Sequence, residues 1–167
     1  MAAMWIGEAF VGEGADAAHL NTVLGDRDGP VGTAWATALA TPSAGHTPFV
    51  TVLRPGLPVQ PMTLFVNKAA VVSDRHGHLT WGAAQAGVAG GVADALAEGV
   101  VPTDRVSELV LIAAVWVNPE AADEEAVFAN NRAATAQALA AGMASSPTVE
   151  AVLAVRAEPA NPYFRTR

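Results

Sequence analysis

The stretch LVLIAAVWV, from Leu109 to Val117, carries no charged residue and lies between Glu108 and Asn118-Pro119. It is far too short to cross a bilayer, and its apolar, partly β-branched character reads as a strand buried at the centre of a sheet. A chain with such a strand must find other strands to pair with it and helices to cover it. The rest of the sequence supplies both.

Trp5 to Val11 reads as a strand, broken by Gly12-Glu13-Gly14, and Ala18 to Leu24 reads as its hairpin partner across a loop longer than the tightest turns. Asp28 ahead of Pro30 has the pattern of an N-cap, with a helix running to Thr41-Pro42. Pro48 to Leu53 and Met62 to Val72 form two more expected strands around the turn Arg54-Pro55-Gly56-Leu57-Pro58, as a meander. A long helix is expected from Leu79 to Glu98 with Gly99 as its stop, followed by a short helical turn at Pro102-Thr103-Asp104. Pro119 is expected to open the last long helix, whose acidic first turns suit the positive end of the helix dipole, and Gly142 to end it. Ser146-Pro147 starts a short final helix and Pro159 to Arg167 an irregular tail. No repeat or linker divides residues 1–167, so the sequence reads as a single domain, a two-layer α+β sandwich of mostly antiparallel sheet with helices packed on one side.

The chain's charge narrows what it can bind. A net charge of −7, with eight scattered arginines and one lysine, is a poor match for nucleic-acid phosphates. The absence of a basic n-region before Met4-Trp5-Ile6 and the lack of cysteine give no sign of secretion or of disulfides, so a cytoplasmic location is the expectation. Isoleucine occurs only at positions 6 and 112, a bias that fits a GC-rich genome in which arginine replaces lysine. Lys68 stands where that replacement did not happen. A compact ammonium on a thin stem and a wide guanidinium fork are not interchangeable in a narrow site.

Strand and helix periods then group the polar residues. Alternation places His19 and Asn21 on one face of the second strand and gathers Leu64, Val66, Lys68 and Ala70 on one face of the fourth, where the ammonium rises from apolar neighbours. Gln85 falls within the apolar stripe Trp81, Val88, Val92 and Leu96 of the long helix, so its amide needs hydrogen-bond partners. Each admits a structural explanation: a satisfied half-buried histidine, a snorkelling lysine, a glutamine capping a loop. Asp74, His76 and His78 could supply metal ligands but lack a further ligand cluster, and read better as a helix-opening loop, so no metal is expected. His46 reads as a loop residue. Phosphate-cradling glycine motifs and a nucleophile elbow are absent.

The segments Gly7-Glu8-Ala9, Val11-Gly12-Glu13-Gly14, Ala18-His19-Leu20, Leu57-Pro58, Thr63-Leu64, Asn67-Lys68, Ala84-Gln85, Gly87-Val88-Ala89, Ala97 to Pro102, Glu120 to Asp123 and Asn161-Pro162 resemble, in order and spacing, those of the formaldehyde-activating enzyme family. The resemblance runs from Ile6 to Phe164. It implies the fold of a small ribosomal-protein domain (ribosomal-protein domain 2-like), a homopentameric ring with clefts between subunits, and a carbon–nitrogen lyase of one-carbon metabolism. The implied reaction joins formaldehyde to tetrahydromethanopterin, a pterin co-substrate, and no covalently bound cofactor.

Carried over by position, His19 falls on the family's proton donor, while Lys68 and Gln85 fall on carrier-contacting positions. Val50 stands at a substrate-binding position where the family usually has leucine. Two positions depart: Asn21 replaces an aspartate and Ala70 a threonine, and Ala86 stands where histidine is frequent. The resemblance therefore implies general acid catalysis by His19. Three readings remain open: the family reaction, the same carbinolamine dehydration on tetrahydrofolate or another amine, and a non-catalytic pterin or aldehyde binder.

Overall fold

The computed structural model describes residues 3–164. Its sheet has five strands: β1 (Met4–Val11), β2 (Ala18–Asp26), β3 (Phe49–Val50), β6 (Met62–Asn67) and β7 (Leu109–Trp116), in the order β1-β2-β7-β6-β3. β7 is central, as its unbroken apolar character requires. It runs antiparallel to β2 and parallel to β6, and the pairs β1–β2 and β3–β6 are antiparallel. A separate small ribbon joins β4 (Val52–Arg54) to β5 (Leu57–Pro58).

The α+β sandwich expected from the sequence is thus the fold. Leu20 and Leu24 of β2, Phe65 of β6 and Leu109, Leu111 and Val115 of β7 turn to one face. There they meet Val88 and Val92 of α3 (Gln85–Ala97) and Ala134, Ala138 and Leu139 of α4 (Glu124–Met143). Each fully buried leucine contributes about 1.5–3 kcal/mol. The two helices approach closely because α3 presents Gly87 to α4: a Cβ there would stand 2.5 Å from the Phe128 carbonyl oxygen. The opposite face is covered only in part. α1 (Pro30–Ala40) packs over one end of it, with buried Val31 lying against Gly25.

Several boundaries differ from the sequence expectation, each for a local reason. The extended segment expected from Pro48 to Leu53 divides at Thr51, whose N–H donates to the Thr63 carbonyl (2.8 Å) and whose carbonyl accepts from Val59 (3.1 Å). The strand expected to run to Val72 stops at Asn67, where the buried side-chain amide donates to the carbonyls of Ala69 (2.8 Å) and Gly45 (2.9 Å) and bends the chain. The segment Asp74–His78, read as a loop, is helix α2, capped by the Ser73 hydroxyl on the His76 N–H (3.2 Å). It continues through the wider π turn Leu79–Ala84 into α3. That turn carries an extra residue per cycle, which rotates Trp81 out of the expected apolar stripe to an exposed position. Gly29, not Asp28, precedes α1, and α4 begins after Asp123, whose carboxylate accepts from the Ala126 N–H (3.0 Å), rather than at Pro119. α5 (Val149–Ala154) follows a Thr148 cap. Among the described residues no helix is long and apolar enough to cross a membrane.

Candidate functional site

Directly paired residues of neighbouring strands point to the same face, so the registers define rows across the half-covered side of the sheet. One row runs Ile6, Val23, Ile112, Leu64, Val50; the next runs Glu8, Asn21, Ala114, Val66. A third runs Phe10, His19, Trp116 and is continued by Lys68, whose N–H donates to the Val115 carbonyl (2.7 Å). His19, Asn21 and Val50 therefore share one face. At about 4.8 Å between strands and 3.3 Å per residue, the backbones of His19 and Lys68 stand roughly 10 Å apart, and those of His19 and Val50, three strands across and four residues along, roughly 20 Å apart.

His19 is 45% exposed, and its Nε2 lies 3.0 Å from Oε1 of Glu8, whose side chain is itself solvent-exposed. The Phe10 ring leans against the imidazole with centroids 5.7 Å apart. Trp116, the partner of His19 on the neighbouring strand, makes a T-shaped pair with the Tyr163 ring, centroids 6.2 Å apart. The histidine thus stands in an aromatic row with one carboxylate at its Nε2 edge. Beside it, a cleft of about 680 Å³ opens between the turn Gly12-Glu13-Gly14 and the segment Ala160 to Tyr163, with Phe10 and Asn118 in its walls.

The turn beside the cleft is fixed from below. Asp16 accepts hydrogen bonds from the backbone N–H groups of Ala122 (2.7 Å) and Asp123 (3.0 Å), and its own carbonyl accepts from Nδ2 of Asn130 (2.9 Å). The two backbone donors hold the Asp16 carboxyl below its usual range, despite some opposing desolvation. Gly12 sits at φ +90°, and a Cβ there would lie 2.5 Å from the Asn130 amide nitrogen, so only glycine lets the turn lie so close to α4.

The remaining expected site residues are distributed. Lys68 and Ala70 lie in the bend after β6 rather than on the strand, and Lys68 borders a pocket of about 290 Å³ together with His46 and Val66. His46 Nδ1 is 2.8 Å from the Asn67 carbonyl, so that nitrogen donates to it. Gln85 faces the helix side: its Oε1 accepts the Val52 N–H (2.7 Å), tying α3 to β4. Within one chain, Gln85 does not converge with His19. His76, the central member of the histidine segment, is buried, with Nε2 donating to the Val117 carbonyl (3.0 Å) and Nδ1 facing the Val72 N–H (3.4 Å). Both ring nitrogens are engaged, so this histidine serves the fold. Among the described residues no group of three or more His, Cys, Asp or Glu side chains is placed to hold a metal ion.

Sequence patterning had not singled out Glu8, Phe10, Trp116 or Tyr163. For the first three the signal was present in the hairpin and central strand, but it becomes readable only with the register.

A family model described as formaldehyde-activating enzyme (Fae) matches residues 6–164. Among curated proteins the chain is similar to the bifunctional enzyme Fae/Hps of Methanococcoides burtonii, 42% identical over 150 residues, which is 90% of this chain and 38% of that protein. It is similar to the enzyme of the same name from Methanothrix thermoacetophila, 41% identical over 162 residues, 97% of this chain and 41% of that protein. A third match, from Archaeoglobus fulgidus, is 43% identical over 148 residues, 89% of this chain and 38% of that protein. The chain spans about two fifths of the length of these relatives.

Proposed function

The chain belongs to the formaldehyde-activating enzyme family, and from that premise we propose that it condenses formaldehyde with tetrahydromethanopterin, giving 5,10-methylenetetrahydromethanopterin and water, with His19 as general acid. One amine of the carrier adds to formaldehyde and forms a carbinolamine. The protonated imidazole delivers a proton to the hydroxyl, the carbon–oxygen bond breaks, and water leaves an iminium. The second amine of the carrier closes on that carbon, and its proton returns to the imidazole. Two N–H bonds and one carbonyl are exchanged for two C–N bonds and water, with no change of oxidation state.

The observation that carries this reading is the placement of His19: solvent-accessible, on the half-covered sheet face, with Glu8 against Nε2. That contact leaves Nδ1 as the nitrogen turned away from the carboxylate and available to a substrate oxygen. Histidine suits the task because its ordinary titration range lies near neutrality. A placed general acid contributes about 10² to 10⁴ in rate. His19→Ala is expected to remove acceleration above the spontaneous background while leaving carrier affinity within about tenfold, since the proton transfer belongs to the transition state. A variant with full activity would remove His19 from the mechanism, and tight carrier binding with no turnover even in the parent would favour a non-catalytic binder.

A second reading keeps the chemistry and changes the amine. Asn21, on the same face as His19 and two residues along the strand, offers a neutral amide where the family has an aspartate, and Ala70 lacks the family's hydroxyl. The discriminating measurement compares turnover of tetrahydromethanopterin, tetrahydrofolate and small diamines by the parent and by Asn21→Asp with Ala70→Thr. Parent turnover of tetrahydromethanopterin as fast as that of the double variant would make the two departures silent.

A further inference from the structure

We propose that Glu8 is the positioning residue for the acid at His19, and that Asn21, directly opposite Glu8, is what leaves it free for that role. This rests on His19 acting as the proton donor proposed above and names what holds it. β1 and β2 pair antiparallel with Glu8 facing Asn21 and Phe10 facing His19, so all four side chains stand on one face. Glu8 is the diagonal neighbour of His19, and its stem spans that diagonal to place Oε1 3.0 Å from Nε2.

An imidazole has two ring orientations, related by a half-turn, that exchange each nitrogen with a carbon. The Phe10 ring, tilted at 54° with its centroid 5.7 Å away, limits the imidazole by contact but does not tell nitrogen from carbon. A carboxylate does, because Nε2–H donates to it far more strongly than a ring C–H. The contact with Glu8 therefore selects one orientation and one proton position. Proton transfer then takes place at Nδ1 alone. The imidazolium gives Nδ1–H to the carbinolamine oxygen, Nε2–H stays on Glu8, and the bare Nδ1 takes back the proton released when the second amine closes. Glu8 remains a carboxylate throughout.

Asn21 acts through charge. Directly paired side chains have Cβ atoms about 5 Å apart, and the neutral amide sets no like charge against Glu8. A carboxylate at position 21 would repel Glu8 across the strand pair. Two residues along from His19 on the same face, it would also compete for the imidazole. The surroundings bring no other anion to the ring. β7 presents Ala114 and Trp116 in these rows, α1 carries no charged side chain, and Lys68 follows two strand spacings away. Tyr163 packs on Trp116, and Glu13 lies in the turn after β1. Among the described residues Glu8 is the one carboxylate paired with His19.

The test follows kcat and carrier KM with tetrahydromethanopterin at saturating formaldehyde, and the nitrogen NMR shifts of the His19 imidazole without any carrier. An exposed ion pair is worth a factor of about five at most. Glu8→Ala is therefore expected to lower kcat about fivefold with KM within about twofold, and Glu8→Gln, whose amide oxygen accepts the same bond, to keep most of the parent's kcat. The shifts of the neutral imidazole should place the proton on Nε2 in the parent and on a mixture of both nitrogens in Glu8→Ala. Asn21→Asp should lower kcat about fivefold in the parent, yet leave it within about twofold in the Glu8→Ala background, where the contact is already gone. Thermal unfolding of each variant separates these effects from a folding loss. Parent-like kcat and proton placement in Glu8→Ala, with His19→Ala inactive, would overturn the role of Glu8 and leave His19 as the acid. An equal loss from Asn21→Asp in both backgrounds would overturn the link through Glu8. Full activity in His19→Ala would instead overturn the acid, and its positioning residue with it.

Discussion

Replacing Gln85 with leucine separates two roles that a single position can have. In the structure its Oε1 accepts the Val52 N–H at 2.7 Å, and the side chain is almost fully buried between α3 and the β4–β5 ribbon. Leucine keeps the volume, so no cavity opens, but the Val52 donor loses its acceptor. An orphaned donor costs about 1–3 kcal/mol. Val52 is only half-buried, so water can recover part of that, and the added apolar contact of leucine offsets more. A net loss of about 1 kcal/mol follows, which for a chain of this size lowers Tm by roughly 2–4 °C. Thermal unfolding followed by circular dichroism measures it, with carrier KM determined on the same sample below the transition. An unchanged Tm would refute the reasoning, because it would mean that the amide carries no strain-free bond to the ribbon. A lowered Tm with unchanged KM would remove Gln85 from carrier contact and leave it a purely structural strap.

Lys68→Arg is expected to raise carrier KM about tenfold despite equal charge, since a planar fork presents its donors to a ligand at the pocket beside it differently from a compact ammonium; equal KM would make Lys68 a tolerated surface residue. Asp16 is stabilised as the anion by two backbone donors, so its contribution is present at neutral pH and lost as pH falls through its depressed folded-state value. The Tm gap between the parent and Asp16→Ala should therefore be widest near pH 7 and close in acid; a gap independent of pH would show that the carboxylate bonds add nothing. Light scattering at micromolar concentration should give the mass of an oligomer, as the family resemblance implies and as the exposed Met4 and Ile6 on the outer strand suit. A monomeric mass would exclude a cleft shared between subunits.

What could be read from the sequence depended on whether the determining contact was local. The hairpin, with His19 and Asn21 on one face, follows from alternation alone, and β7 follows from its apolar run. The end of β6 did not, because Asn67 bends the chain through the carbonyl of Gly45, distant in sequence. The start of α4 was misread at Pro119, although the Asp123 cap three residues before Ala126 is itself a local signal. Among site residues, the apolar stripe correctly demanded a partner for Gln85 but could not name Val52. Tyr163 lay in what reads as an irregular tail, and its place beside Trp116 depends on a contact with the central strand, distant in sequence.

The two faces of the sheet also bear on how the acid proposed at His19 is kept while its neighbours change. The helix-side face is closed: a Cβ added at Gly87 meets backbone, and Leu20, Leu111 and Val115 have no exposed surface. Substitution there is felt throughout the core. Away from it, Asn21 is half-buried on the other face and Ala70 is exposed in the bend after β6, and neither joins the hydrophobic core. Their replacement alters little packing and acts instead on what the face offers a ligand. Exchanging a carboxylate for Asn21 removes a charge-assisted acceptor, typically about 1.5–3 kcal/mol, and losing a hydroxyl at Ala70 removes about 0.5–1.5 kcal/mol more. Together these amount to roughly one and a half to three powers of ten in affinity for a carrier that used both groups. Under the proposed function, a loss of that size would weaken binding of such a carrier while His19 and the aromatic row around it remain in place.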